Sequence, residues 1–113
     1  MATHLPAAGD IVWTDFDPTL GREQAGRRPA LVLSTHELSE NAGFVIVAPI
    51  TSRVRPFPTS VVLPKGETVE GEILLHQIRS LDVLARPIKF SGVKISDNVA
   101  AEVRTKLGLM FGM

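Results

Sequence analysis

Cysteine is absent from the 113 residues, which excludes disulfides and thiolate-bound metal. Tyrosine is absent too, and Trp13 is the single tryptophan. A chain with so few ring faces has little to stack bases on, so recognition of a nucleic acid would rest mainly on hydrogen bonds. Trp13 is expected to lie partly buried beside a loop or at an interface. Charge of either sign is not in excess: Lys and Arg number 12, as do Asp and Glu. A binder of duplex DNA is usually basic as a whole, so any contact with phosphates has to be local here. The three histidines, His4, His36 and His76, are scattered without the spacing of metal ligands. No apolar run approaches the roughly 20 residues that cross a bilayer. Met1 is not followed by a basic and then apolar leader. A cytoplasmic protein without a membrane span, metal or cofactor is therefore expected.

What remains suffices for one domain with one core, spanning residues 1–113. After an irregular arm at 1–8, Ile11 to Phe16 is rich in strand formers. Asp17-Pro18 ends it, because Pro fixes φ and has no N–H to give. Thr19 to Arg27 has neither helical nor strand period and reads as a loop. Pro29 to Leu33 is apolar throughout and is expected to be a strand buried on both faces. Thr35 can cap one or two helical turns through Asn41. Phe44 to Ile50 is the most apolar run and the candidate central strand. A second polar loop, Thr51 to Pro58, follows. Thr59 to Leu63 and Glu72 to Ile78 read as strands, Arg79 to Arg86 as a loop with a short turn, and Pro87 to Phe90 as a last short strand. From Ser96 the period changes: Val99, Val103, Leu107 and Met110 form a helical stripe. Ser96 suits its N-cap, and Glu102 with Lys106 forms an i,i+4 pair. Five or six strands and one terminal helix predict an antiparallel barrel or curled sheet, α+β in class but mainly β.

Residues 9–34, GDIVWTDFDPTLGREQAGRRPALVLS, crowd Arg22, Glu23, Gln24, Arg27 and Arg28 into one loop between two strands. Polar groups on a loop held by rigid strands are the usual design of a site. This stretch closely resembles the opening of toxins of the MazF/PemK family. The likeness continues through Ala48-Pro49-Ile50-Thr51-Ser52, through PTSVVL at Pro58 to Leu63, and through Gln77-Ile78-Arg79-Ser80-Leu81-Asp82, and so covers essentially the whole chain. The resemblance implies an SH3-like antiparallel β-barrel with a C-terminal helix, acting as a homodimer. It implies a metal-independent endoribonuclease that cuts single-stranded RNA at short sequences and is neutralised by a cognate MazE-like antitoxin.

Metal-free RNA cleavage uses the RNA's own 2′-OH to attack phosphorus. One group must take that proton, another must protonate the leaving 5′-oxygen, and donors must hold the charge that gathers on the phosphoryl oxygens. Arg28 matches the catalytic arginine of the family's RP element; its alternative is a surface salt bridge with Asp15 or Asp17. Thr51 matches the loop threonine beside it, where a hydroxyl can bind a phosphate oxygen. Glu23 and Gln24 match a loop pair able to read base edges or position the 2′-OH. Gly21 and Gly26 are expected to act as hinges. Arg22, Arg53, Phe57, Pro58, Gln77 and Ser80 complete the expected substrate contacts, with Arg79 beside Gln77 and Ser80 and with Arg53 and Arg55 as the local positive charge for RNA; core packing is the alternative for Phe57.

The chain departs from the PemK branch at Arg22, where that branch has histidine, and at Leu74-Leu75-His76, where it has an Arg–x–Asp pair. Leu74 has no proton to move, so that branch's acid–base pair does not carry over. The MazF branch fits better, although it often has a carboxylate at the His76 position. An imidazole exchanges protons near neutral pH, so His76 is the candidate for part of the proton transfer or for a base contact; a structurally bonded strand-end histidine is the alternative. A CcdB-like toxin of the same fold that binds a topoisomerase is the second functional reading. It would need neither Arg28 with Thr51 nor the EQAG loop.

Overall fold

The computed structural model describes residues 5–17, 21, 23 and 25–113. Its spine is β3 (Phe44–Thr51), the run that carries Val45, Val47, Ala48 and Ile50 at almost no exposure. β2 (Arg27–Val32) pairs antiparallel with one edge of β3, and β1 (Asp10–Asp15) pairs antiparallel with β2. The other edge of β3 is shared. Its end at Ile50 and Thr51 pairs with β5 (Glu72–Leu74), and its start at Phe44 to Val47 pairs with β6 (Arg79–Asp82). β4 (Ser60–Val62) lies outside β5, and β7 (Ile88–Lys94) outside β1. The path is thus β4-β5-β3-β2-β1-β7, with β6 beside β3. It is a curled antiparallel sheet, and it is not closed into the expected barrel.

Three expectations change in this sheet. The strand foreseen over 72–78 stops at Leu74, and Leu75–Gln77 form a 3₁₀ turn. Pro49 lies between the two pairings, and having no N–H it cannot extend a ladder there. The stretch read as a loop from Arg79 instead begins as strand β6. The last strand starts one residue late and runs to Lys94 rather than Phe90.

Side chains of a strand alternate between faces, and here both faces are buried. Ile11, Leu31, Ala48 and Ile50 join Val61, Leu63, Ile73 and Leu75 in one cluster. Val12, Ala30, Val32, Val45 and Val47 form a second with Phe16 and Leu81. The apolar stretch at Pro29 to Leu33 reads as continuous because β2 serves both. α2 (Asp97–Phe111) covers the first cluster with Val99 and Val103, and Leu107 and Met110 pack at its margin as the stripe predicts. The Ser96 hydroxyl caps α2 by accepting from Val99 N–H, and Lys106 pairs with Glu102 at 3.1 Å. The same Lys106 Nζ donates to the Ser60 carbonyl at 2.6 Å and ties the helix to β4. α1 (His36–Ala42) is the short helix expected after Thr35, whose side chain caps it. Among the described residues no helix is long and apolar enough to cross a membrane.

Candidate active site

The loop between β1 and β2 is built from a closed root. Phe16 N–H donates to the Gly26 carbonyl at 3.0 Å, and Gly26 N–H donates to Asp17 Oδ1 at 3.1 Å. Gly26 therefore closes the loop as a pinned corner in the left-handed region (φ 77°), not as a free hinge. Two arginines from far along the chain hold the same root. Arg86 Nη1 donates to the carbonyls of Asp15 and Asp17 at 2.8 and 2.7 Å. Arg79 Nη1 donates to the Phe16 carbonyl at 2.5 Å, with its guanidinium 5.7 Å from the centre of the Phe16 ring. Arg79 thus clamps the root of the loop, and it does not line the cleft described below.

Arg28 is the second residue of β2, opposite Thr14 of β1. Its Nε and Nη2 both donate to the Ala25 carbonyl, at 3.0 and 2.9 Å. That fork fixes the plane of the guanidinium and leaves its other N–H groups for an anion. Among the described residues no salt bridge links it to Asp15 or Asp17. Thr51 ends β3 and is 8% exposed. Its Oγ1 accepts from Arg53 N–H at 3.2 Å, so the hydroxyl proton is left to donate.

These two residues face one open cleft of about 930 Å³. The cleft brings together Glu23, Arg28, Thr51, Arg53, Phe57, His76 and Gln77, all foreseen from the sequence. With Arg55, also foreseen, it adds Ser52, Thr59, Glu72 and Leu74. His76 lies in the 3₁₀ turn after β5, with Nδ1 3.0 Å from Thr59 Oγ1 and its ring against the edge of Phe57, centres 5.3 Å apart. Pro58 is exposed on the loop and Ser80 lies on β6 opposite Ile46; neither lines the cleft. Arg22 and Gln24 lie outside the described residues. Trp13 is 37% exposed and borders a second hollow of about 400 Å³ that shares Arg28 and Ser52 with the cleft. Among the described residues no group of three or more His, Asp or Glu side chains is placed to hold a metal ion.

Glu72 was not foreseen. It is wholly buried, and its carboxylate accepts from the N–H groups of Arg55 and Phe57 and from the Ser60 hydroxyl. The one sequence signal for it is a lone carboxylate opening the otherwise apolar run Ile73-Leu74-Leu75.

A family model described as PemK-like, MazF-like toxin of type II toxin-antitoxin system matches residues 7–111. The chain belongs to this family. It is 33% identical over 112 residues to the endoribonuclease toxin MazF of Escherichia coli, covering 99% of both chains. It is 39% identical over 105 residues to the endoribonuclease toxin ChpB of the same organism, covering 88% of each. A crystal structure of MazF from Deinococcus radiodurans superposes with a TM-score of 0.90 at 41% identity, over 98% of this chain and 100% of that one. A chain from a MazE-MazF crystal structure of that organism superposes with a TM-score of 0.84 at 40% identity, over 97% and 99%. The similarity to MazF therefore covers the same strands and loops that carry the cleft.

Proposed function

We propose that this protein is the endoribonuclease toxin of a type II toxin–antitoxin pair, an mRNA interferase that cleaves single-stranded RNA at short specific sequences without a metal. The reading is carried by one observation: Arg28 and Thr51, held on neighbouring strands, share a cleft with an imidazole and a carboxylate. The 2′-OH attacks the adjacent phosphorus and the bond to the 5′-oxygen breaks, leaving a 2′,3′-cyclic phosphate and a 5′-OH. The Arg28 fork and the Thr51 hydroxyl donate to the non-bridging oxygens as charge collects on them. Glu23 positions the 2′-OH. His76 carries part of the proton transfer through Nε2, since Nδ1 is engaged by Thr59. Arg53, Arg55 and Phe57 hold the strand that enters the cleft, with Arg22, Gln24 and Gln77 as further contacts.

The protein acts in the cytoplasm as a homodimer. A MazE-like antitoxin neutralises it by covering this surface with acidic side chains opposite Arg22, Arg27, Arg28, Arg53 and Arg55. Incubating the purified protein with a long RNA in EDTA, and mapping the ends, tests the reading. Cuts at a repeated short sequence with cyclic-phosphate ends are expected. Intact RNA after hours would overturn it and favour a CcdB-like toxin that binds a topoisomerase.

A further inference from the structure

Glu72 opens β5 with no exposure to solvent. A buried carboxylate is costly unless hydrogen bonds replace its water. Here the replacement comes from one place. Oε1 accepts from Arg55 N–H at 2.7 Å, Oε2 accepts from Phe57 N–H at 3.2 Å, and the Ser60 hydroxyl donates to Oε2. Two of the donors belong to the connection from β3 to β4, and the third, Ser60, opens β4.

The connection is otherwise tied locally at its two ends, where Arg53 N–H donates to Thr51 Oγ1 and Phe57 N–H donates also to Ser60 Oγ, at 3.2 and 3.0 Å. Residues 52–58 are all exposed, and none lies in a helix or strand. Yet Arg53, Arg55 and Phe57 from this segment line the cleft, and the Phe57 ring supports that of His76. Arg28 and Thr51 are placed by backbone pairing, Arg28 opposite Thr14 of β1 and Thr51 opposite Glu72 itself on β5, whereas the Glu72 carboxylate accepts from Arg55, Phe57 and Ser60. One buried anion therefore shapes the binding loop while the strands carry the proposed reacting groups.

We propose that Glu72 is a positioning residue, holding the β3–β4 loop in the form that grips the RNA strand. This rests on the endoribonuclease reading above. A neutral amide does not replace it. Gln has one acceptor oxygen and a donor NH2, so one backbone N–H would meet a donor instead of an acceptor.

Glu72→Gln, assayed on a short RNA well below its melting temperature, is expected to raise KM about tenfold with kcat within about twofold, the pattern of lost uniform binding. In the free wild-type protein, the amide of Arg55, bonded to Glu72 Oε1, is expected to exchange with solvent far more slowly than that of Val54. In the variant that protection is lost. Ser60→Ala keeps the carboxylate and both amides, and its KM should rise by less than about threefold. An unchanged KM in a folded Glu72→Gln protein overturns the proposal, as does a fall confined to kcat. Should that variant fail to fold, the wild-type exchange decides: an Arg55 amide as fast as that of Val54 overturns it. A wild-type protein that leaves RNA intact sinks the endoribonuclease reading instead, and exchange still tests the anchoring of the loop.

Discussion

The backbone of Gly71 lies against that of Thr51, so close that a β-carbon on Gly71 would collide with the Thr51 carbonyl oxygen. Gly71 also sits at φ 131°, which side-chain-bearing residues rarely adopt. Two constraints thus fall on one residue, between the end of β3 that carries Thr51 and the strand that carries Glu72. Gly71→Ala is expected to destabilise the fold by at least about 2 kcal/mol, through strain and a displaced Thr51. That corresponds to a melting temperature lowered on the order of 10 °C. Thermal melts check it, and a melting temperature within a degree or two of the wild type would show that the strands part without cost.

The guanidinium of Arg28 is oriented by the Ala25 carbonyl before any substrate arrives. A preset donor of this kind acts where charge develops, so Arg28→Ala should lower kcat about a hundred- to a thousandfold with little change in the melting curve. Arg28→Lys should recover little, because an ammonium cannot form the planar fork. Full activity in the lysine variant would mean that a positive charge alone is enough. Single-turnover cleavage of a short RNA gives the rates.

His76 tests the proton transfer. His76→Ala should slow cleavage about a hundredfold or more and remove one limb of the pH–rate profile. Thr59→Val, which frees Nδ1, should change the shape of the profile less than the alanine does. A profile that keeps its rate and shape from about pH 5 to 9 without His76 would reduce it to a packing partner of Phe57.

Assembly gives a fourth measurement. Light scattering at micromolar concentration should return about twice the 12.2 kDa chain mass. A clean monomer would remove the homodimer from the functional reading. A synthetic acidic peptide at excess should compete with RNA for the Arg53 and Arg55 loop and lose that ability at high salt.

Much of the fold was legible because it follows from local chemistry. Thr35 and Ser96 precede helical stretches and cap them as their side chains allow. Val99 and Val103 face inward at helical spacing. The run from Phe44 forms the central strand because it has the apolar residues to bury on both sides. Arg79 to Asp82 was misread because RSLD has no strong period, and its strand exists only by pairing with Phe44 to Val47. Gly26 was read as a hinge because the bonds that pin it come from Phe16 and Asp17, across the loop.

The site divides in the same way. The sequence alone determined which chemistry is available: arginine forks, a hydroxyl, a carboxylate and an imidazole within recognisable segments, without thiol ligands and without excess positive charge. Pairing between distant strands decided where these groups meet. It set Arg28 and Thr51 at one cleft, left Ser80 outside it, and assigned Arg79 and Arg86 to the root of the first loop. It also buried Glu72 among loop N–H groups more than a dozen residues away in the chain. Residue type states what a side chain can donate or accept, whereas only the folded backbone brings a partner within hydrogen-bond reach.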